Sequence, residues 1–246
     1  MAVKIYLSPA AHEHPPACCA VSGCNEVKHV HEYLDELVPY LDACGFEWKR
    51  NGKEDLGSAG VKKAVRESNA WGADLHYVVH TNGANGTARG SRPMVWPTGK
   101  GRQWAETILR WRQKIYPYPT VVKVREDLYE IKHSAALCIY EELVFHDNAE
   151  DAAWLHNNLR VLAEYTARAF CDIFGVEFVD PYARIPGDVD GDGEITSTDA
   201  RLVLQATAGK VTLTDEEKAA ADVDGDGEVT STDARLILQE SAGKRG

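Results

Sequence analysis

The sequence predicts an α/β domain, a largely parallel sheet sandwiched by helices, followed by a small all-α module. Three observations carry this. Strand and helix signals alternate through about the first 178 residues. The segment FVDPYARIPG at 178–187, with two prolines and a glycine, reads as a short semi-rigid linker. Beyond it, the acidic stretches 187–210 and 221–244 are near copies, differing only at Gly187/Ala221, Ile195/Val229, Val203/Ile237, Ala206/Glu240 and Thr207/Ser241. The domains are accordingly expected at 1–178 and 187–246, with 179–186 joining them.

Residues 3–7 open the chain as an apolar strand. Residues 26–43 form a helix, because Val27, Val30, Leu34, Leu37, Val38 and Leu41 fall on one face, and Gly45 stops it. A second helix is expected over 61–71 and a buried strand over 74–79, followed by the glycine-rich and therefore flexible loop TNGANGTARG. A helix over 102–115, a strand over 136–143 and one long closing helix over 149–174 complete the domain.

Each repeat begins with Asp at loop positions 1, 3 and 5, then Gly at 6, an aliphatic residue at 8 and Asp at 12. That is the spacing a hard cation requires: alternate carboxylates supply oxygens at about 2.3–2.6 Å while the glycine permits the sharp turn. Two calcium ions are expected, one on Asp188, Asp190, Asp192, Glu194 and Asp199, the other on Asp222, Asp224, Asp226, Glu228 and Asp233. The repeats resemble a type I dockerin, whose paired loop and helix units bind a cohesin domain on a scaffold protein. Two features carry the resemblance: neither loop is expected to have a helix before it, and Ser197 with Thr198, repeated as Ser231 with Thr232, sits where dockerins contact cohesin. Where many dockerins carry a basic pair, this chain has Leu204 with Gln205 and Leu238 with Gln239, so a specificity cannot be carried over. Self-association is the alternative for this module, and some contact is expected because Leu204 and Leu238 would otherwise be exposed.

The composition is that of ordinary globular protein, 44% hydrophobic and 26% charged, with a net charge of -11. Residues 187–246 hold 14 acidic and 6 basic residues, so most of that charge belongs to the repeats. No basic stripe is present, which argues against nucleic-acid binding. No apolar run approaches the roughly 20 residues of a membrane span. The N-terminus enters a strand with no charged leader or cleavage site, and no signal peptide is expected. Six cysteines lack the close pairing of a zinc knuckle and read as reduced thiols, with Cys18 and Cys24 able to pair or bind metal.

Functional groups in such a fold gather at the carboxyl ends of strands. His12 follows the first strand, His80 ends ADLHYVVH, Glu142 lies near the end of ALCIYEE, and Glu26 opens the helix after the first loop. Two His and a carboxylate suit a catalytic zinc that keeps a fourth position open. His29 and His31, two apart on a helix, point to different faces and suit a surface.

Residues 3–174 resemble the zinc-dependent N-acetylmuramoyl-L-alanine amidases of type 3, phage endolysins among them. WGADLHYVVHTNGANG is similar to that family's GADLFISIHANA and implies His80 as a zinc ligand. Glu26 stands 19 residues before Gly45, the offset of the family's metal Glu. EELVFHDNAEDAAWL is similar to VETGFLSNPEEA, and counting back from Phe145 and Asn148 selects Glu142, not Glu141, as the catalytic glutamate. The family's LDPGHGG appears as LSPAAHEH, which makes His12 the first ligand and His14 the alternative.

The resemblance implies one zinc and hydrolysis of the amide between N-acetylmuramic acid and L-alanine of peptidoglycan, with Glu142 moving the proton. Trp96, Tyr116 and Tyr118 are candidates for sugar contact and His133 for substrate binding. An endolysin waiting in the host cytoplasm until release is the expectation. A secreted amidase docked to cohesin, or a non-catalytic peptidoglycan-binding protein, is the alternative.

Overall fold

The computed structural model describes residues 2–12, 19–20 and 25–243. The chain divides into two compact units, Met1–Pro181 and Tyr182–Gly246.

In the first unit a six-stranded sheet has the order β2-β1-β3-β6-β4-β5. Its strands are β1 (Lys4–Pro9), β2 (Glu47–Arg50), β3 (Leu75–Asn82), β4 (Arg92–Val95), β5 (Lys123–Val124) and β6 (Leu137–Phe145). β2, β1, β3 and β6 run parallel, and β4 is antiparallel to β6. The expected mostly parallel sheet is therefore present. The short strands β2, β4 and β5, which lack a readable period, join it.

Helices α1 (Glu26–Ala43), α3 (Gly101–Arg112) and α6 (Leu159–Phe174) cover one face, with Val30, Leu34, Leu37, Ile108, Leu162 and Phe170 buried against Leu7, Tyr77, Val79, Ile139 and Leu143. Each such aliphatic or aromatic side chain contributes about 1.5–3 kcal/mol on burial. Asn25 caps α1 by accepting the Lys28 N–H, and Gly45, at φ 76, turns the chain out of it into β2. On the other face, α2 (Gly57–Trp71) and the short α4 (Tyr129–His133) lie over the sheet, and a smaller cluster of Val78, Met94, Ile131 and Cys138 is buried.

The single closing helix expected over 149–174 is two helices, α5 (Ala149–Asn157) and α6. Asn158 breaks them: its backbone leaves the helical region and its side-chain amide donates to the Trp154 carbonyl at 2.7 Å, satisfying an acceptor at the end of α5.

The second unit contains α7 (Ser197–Thr207), α8 (Asp215–Ala221) and α9 (Ser231–Ser241), packed around Val189, Ala200, Val203, Leu213, Ala221, Ala234 and Ile237. The expectation that neither loop follows a helix needs correcting for the second: α8 leads directly into it, started by a capping box of Thr214 and Glu217. No helix among the described residues is long and apolar enough to cross a membrane.

Candidate functional site

The carboxyl ends of β1 and β3 and the first residue of α1 converge. His12 follows β1, and its Nε2 lies 2.8 Å from Glu26 Oε2. His80, near the carboxyl end of β3 just before its register with β6 shifts, has Nδ1 3.0 Å from Glu26 Oε1. The Thr81 N–H donates to the same oxygen at 2.7 Å. One donor atom from each of His12, Glu26 and His80 lies within 4.8 Å of the others, a spacing suited to a shared cation. The His80 ring is held by stacking on Tyr140, with centroids 4.6 Å apart. His14 lies outside the described residues.

Glu142 enters from the neighbouring strand. It pairs in register with His80, so the two side chains stand on the same face of the sheet one strand apart. Its Oε2 is buried without a hydrogen-bond partner among the described residues. Glu141 points to the opposite face, fully buried, where it meets Arg112 at 3.0 Å and also accepts from Tyr77 and Ser91. The adjacent glutamates thus have different surroundings.

Their electrostatics differ too. Burial would raise Glu26, but hydrogen bonds from His12, His80 and Thr81 outweigh it and hold this carboxyl below the usual range. For His80, burial is likewise overcome by Glu26, which raises the imidazole. Burial pushes Glu142 up to about 7, with the Glu26 charge adding to the effect while His80, His12 and Arg125 oppose it. The two carboxyls are thus driven apart, Glu26 held ionised and Glu142 able to change protonation near neutrality.

Because folding raises Glu142 above its unfolded value, its contribution to stability is complete below that value and is lost as pH rises towards 7. Glu26 acts oppositely, its contribution being present above the unfolded value and lost in acid. In chelator-treated protein, Glu142→Gln should therefore gain stability over wild type as pH rises from about 5 to about 8, by about 2–3 kcal/mol at the upper end. Denaturant melts across that range would show it; a pH-independent difference would remove the account.

Hollows flank this line of residues. One, of about 470 Å³, is lined by Ala11, His12, Gly57, Ser58, Val61 and His80. The other, of about 310 Å³, lies towards β4 and β5 and is lined by residues including Asn82, Arg92, Arg125 and Glu142.

Other candidates stand elsewhere. The loop from Thr81 to Arg92 is pinned rather than loose: Asp147 accepts the N–H groups of Ala84 and Gly86, and Asp151 takes Arg89 and Gly90. Tyr116 is core, its hydroxyl receiving the Gly90 N–H at 3.1 Å, and Tyr118 lies under the Arg89 guanidinium. Trp96 is exposed. His133 ends α4, just before β6 begins, and so sits at the amino end of the strand whose other end carries Glu142; it does not join the cluster.

His29 and His31 are not on a surface. Both are buried, since α1 is covered along its flanks as well as its sheet-facing side, and burial pushes each imidazole down to about 4. Sequence reasoning also missed the buried row of Ser8, Glu130 and His76, joined at 2.5 and 3.1 Å beneath the site, because Glu130 arrives on an unanticipated helix. The thiols of Cys44, Cys138 and Cys171 are buried; Cys18 and Cys24 lie outside the described residues.

In the second unit, each acidic loop closes around its own backbone. Asp188 accepts from the N–H groups of Gly191, Asp192 and Gly193 at 2.8–3.1 Å, and Asp199 from Val189, Asp190 and Thr196 at 2.8–3.0 Å. Asp233 repeats this with Val223, Asp224 and Thr230, and Asp222 with Gly225 and Gly227, while the Asp226 N–H donates to Asp224. Donor oxygens of Asp188, Asp190 and Asp199 gather within 4.8 Å of one another, as do those of Asp222, Asp224 and Asp233. Asp192 and Asp226 are exposed and accept the N–H groups of Glu194 and Glu228, whose side chains are exposed as well. Ser197, Thr198, Ser231 and Thr232 are exposed at the starts of α7 and α9, and Leu204 and Leu238 are half-exposed, each about two turns further on.

A mostly parallel α/β sheet with a His–Glu–His cluster at its strand ends and a buried glutamate beside it, pushed up to about 7, is an arrangement suited to a metal-assisted hydrolase. Residues 5–171 match the N-acetylmuramoyl-L-alanine amidase family, and the chain belongs to it. It is thus a peptidoglycan amidase by family, and residues 186–240 match the dockerin type I domain. No curated protein matches the chain. Among solved structures, the fold is similar to the amidase AmiC2 of Nostoc punctiforme, with 14% identity, a TM-score of 0.63, and 70% of this chain and 97% of that one covered. It is similar to an N-acetylmuramoyl-L-alanine amidase from Clostridium difficile 630, with 14% identity, a TM-score of 0.63, and 71% and 97% covered. The catalytic domain of the CD27L endolysin targeting Clostridia Difficile gives 17% identity, a TM-score of 0.60, and 72% and 99% covered.

Proposed function

We propose that the first unit is a zinc-dependent amidase that cleaves the bond between the lactyl carbonyl of N-acetylmuramic acid and the amine of L-alanine, with Glu142 as its proton-transfer residue. The observation that carries this is the buried Oε2 of Glu142, without a hydrogen-bond partner among the described residues and set one strand from His80 in the cluster of His12, Glu26 and His80. Two imidazoles and one carboxylate, with Glu26 held ionised, fit a single zinc ion at those three residues. Zinc bound there would supply Lewis acidity towards the amide carbonyl and towards a water. Glu142, poised near neutrality, accepts the proton of the attacking water and delivers it to the departing alanine nitrogen. The Thr81 N–H and Tyr140 keep Glu26 and His80 oriented. The two hollows give a glycan strand and its stem peptide room on either side of the reacting bond.

Digestion of purified peptidoglycan tests the reading. New alanine amino groups without new reducing sugar ends are expected, abolished by a chelator and restored by zinc. Neither product, from folded zinc-loaded protein on several wall types, would leave a non-catalytic peptidoglycan-binding protein.

The second unit is read as a holder of two calcium ions, on Asp188, Asp190, Asp192 and Asp199 and on Asp222, Asp224, Asp226 and Asp233, with Glu194 and Glu228 contributing through the loop carbonyl. Calorimetric titration should give two equivalents per chain, and Asp233→Ala one; an unchanged stoichiometry would reject the assignment.

The biological setting is read as that of a phage or prophage endolysin held in the host cytoplasm until release, supported by the likeness to the CD27L catalytic domain. The dockerin match favours a second reading, a secreted wall amidase docked on a cohesin through Ser197, Thr198, Ser231 and Thr232, with Leu204 and Leu238 beneath the partner. Calcium-dependent binding to a panel of cohesin domains separates the two.

A further inference from the structure

A second group of metal-binding side chains lies outside the centre described above. Cys19, between β1 and α1, is buried, as is His29 in α1, and the half-buried His156 lies in the last turn of α5. One donor atom from each lies within 4.8 Å of the other two. Cys19 Sγ is 3.5 Å from His156 Nε2, and the rings of His29 and His156 meet edge-on with centroids 4.4 Å apart.

These distances are those of ligands sharing a small cation. With zinc–sulfur bonds of about 2.3 Å and zinc–nitrogen bonds of about 2.0–2.1 Å at tetrahedral angles, a thiolate and an imidazole donor stand roughly 3.5 Å apart. One soft sulfur and two imidazoles select zinc over calcium or magnesium, which take oxygen. The three residues also come from three separately anchored segments. Ala20, next to Cys19, is anchored by its N–H donating to the His146 carbonyl at 3.0 Å, His29 lies one turn of α1 beyond Glu26, and α5 starts from its own Asn148 cap.

We propose that Cys19, His29 and His156 form a second site for a borderline-soft divalent cation, zinc foremost, which fastens the loop between β1 and α1 onto α1 and α5. The same loop begins with His12. A cation here would hold the loop at its middle and so steady the first ligand of the catalytic cluster, while α1 carries a ligand for each site. The role is structural, since Cys19 and His29 are buried and His156 half-buried, and the three donors stand apart from Glu142 and the cluster of His12, Glu26 and His80.

The test uses the full chain in calcium-saturated buffer, stripped by chelator and reloaded with cobalt(II) or zinc. The catalytic cluster holds no sulfur, so a near-ultraviolet thiolate-to-cobalt band reports the second site alone. The band should appear in wild type and in His80→Ala and vanish in Cys19→Ser. Zinc content should be two per chain in wild type and one in either variant. Should Cys19→Ser fail to fold by circular dichroism, His156→Ala reads the same loss. One zinc per chain in wild type and no charge-transfer band, or a band that survives Cys19→Ser, would overturn the proposal. If zinc binds only once, with the band, and His80→Ala retains it, the second site stands and the catalytic assignment fails.

Discussion

Glu142→Gln should lower peptidoglycan cleavage by about 10²–10⁴-fold while leaving zinc content and fold intact, the loss expected when a general acid–base is removed. The amide is close to the carboxyl in shape, so it keeps its packing beside His80 and Tyr140, but it cannot take a proton from water. The placement of Glu142 in the same sheet register as His80 makes the loss one of turnover rather than of affinity. Initial rates at saturating and limiting substrate, with metal content measured on the same samples, check it. A Glu142→Gln protein within tenfold of wild type would remove the residue from the reaction. His80→Ala should also be inactive, but with its zinc lowered, so the two variants separate proton transfer from metal retention.

Arg112→Met should destabilise the first unit by about 3–5 kcal/mol, because it leaves Glu141 as a buried charge without its counterion. Arg112 and Glu141 are both fully enclosed and 3.0 Å apart, and Ser91, Tyr77, Tyr33 and Thr166 complete the surrounding hydrogen bonds. Glu141→Leu combined with Arg112→Met should recover much of the loss, since an apolar pair of similar volume needs no charge compensation. Urea unfolding of wild type and the two variants decides the matter, and an unaltered midpoint for Arg112→Met would mean the pair is not isolated from water.

The strongest structural signals in the sequence were those repeated or periodic. The apolar spacing along residues 26–43 defines α1, and the acidic repeats could be read because two copies in register leave little else to explain them. The convergence of His12, Glu26 and His80 could be anticipated because each lies at a strand end or helix start, and a parallel sheet brings such ends to one edge. What escaped were contacts joining distant segments without a pattern of their own. His156 is 137 residues from Cys19, and the burial of His29 depends on helices that no spacing within α1 describes. β4 and β5 are too short for a period, and Asn158 interrupts a stretch that is otherwise helical by composition.

Having two glutamates in succession at 141 and 142 bears on how accurately β6 must assemble. If that strand paired with β3 one position out of step, Glu142 would turn into the core on the side of Arg112 and Glu141 would face the cluster of His12, Glu26 and His80, each finding a chemically acceptable partner. The carboxylates alone therefore give the nascent sheet little means of telling right from wrong. Discrimination falls to the residues around them: Ile139 and Leu143 belong in the core shared with α1, α3 and α6, while Tyr140 must lie flat on His80. Proofreading of the catalytic geometry is thus delegated to aliphatic and aromatic neighbours that take no part in the chemistry, and exchanging Tyr140 for a residue at home on either face would erode fidelity of assembly before it touched any ligand.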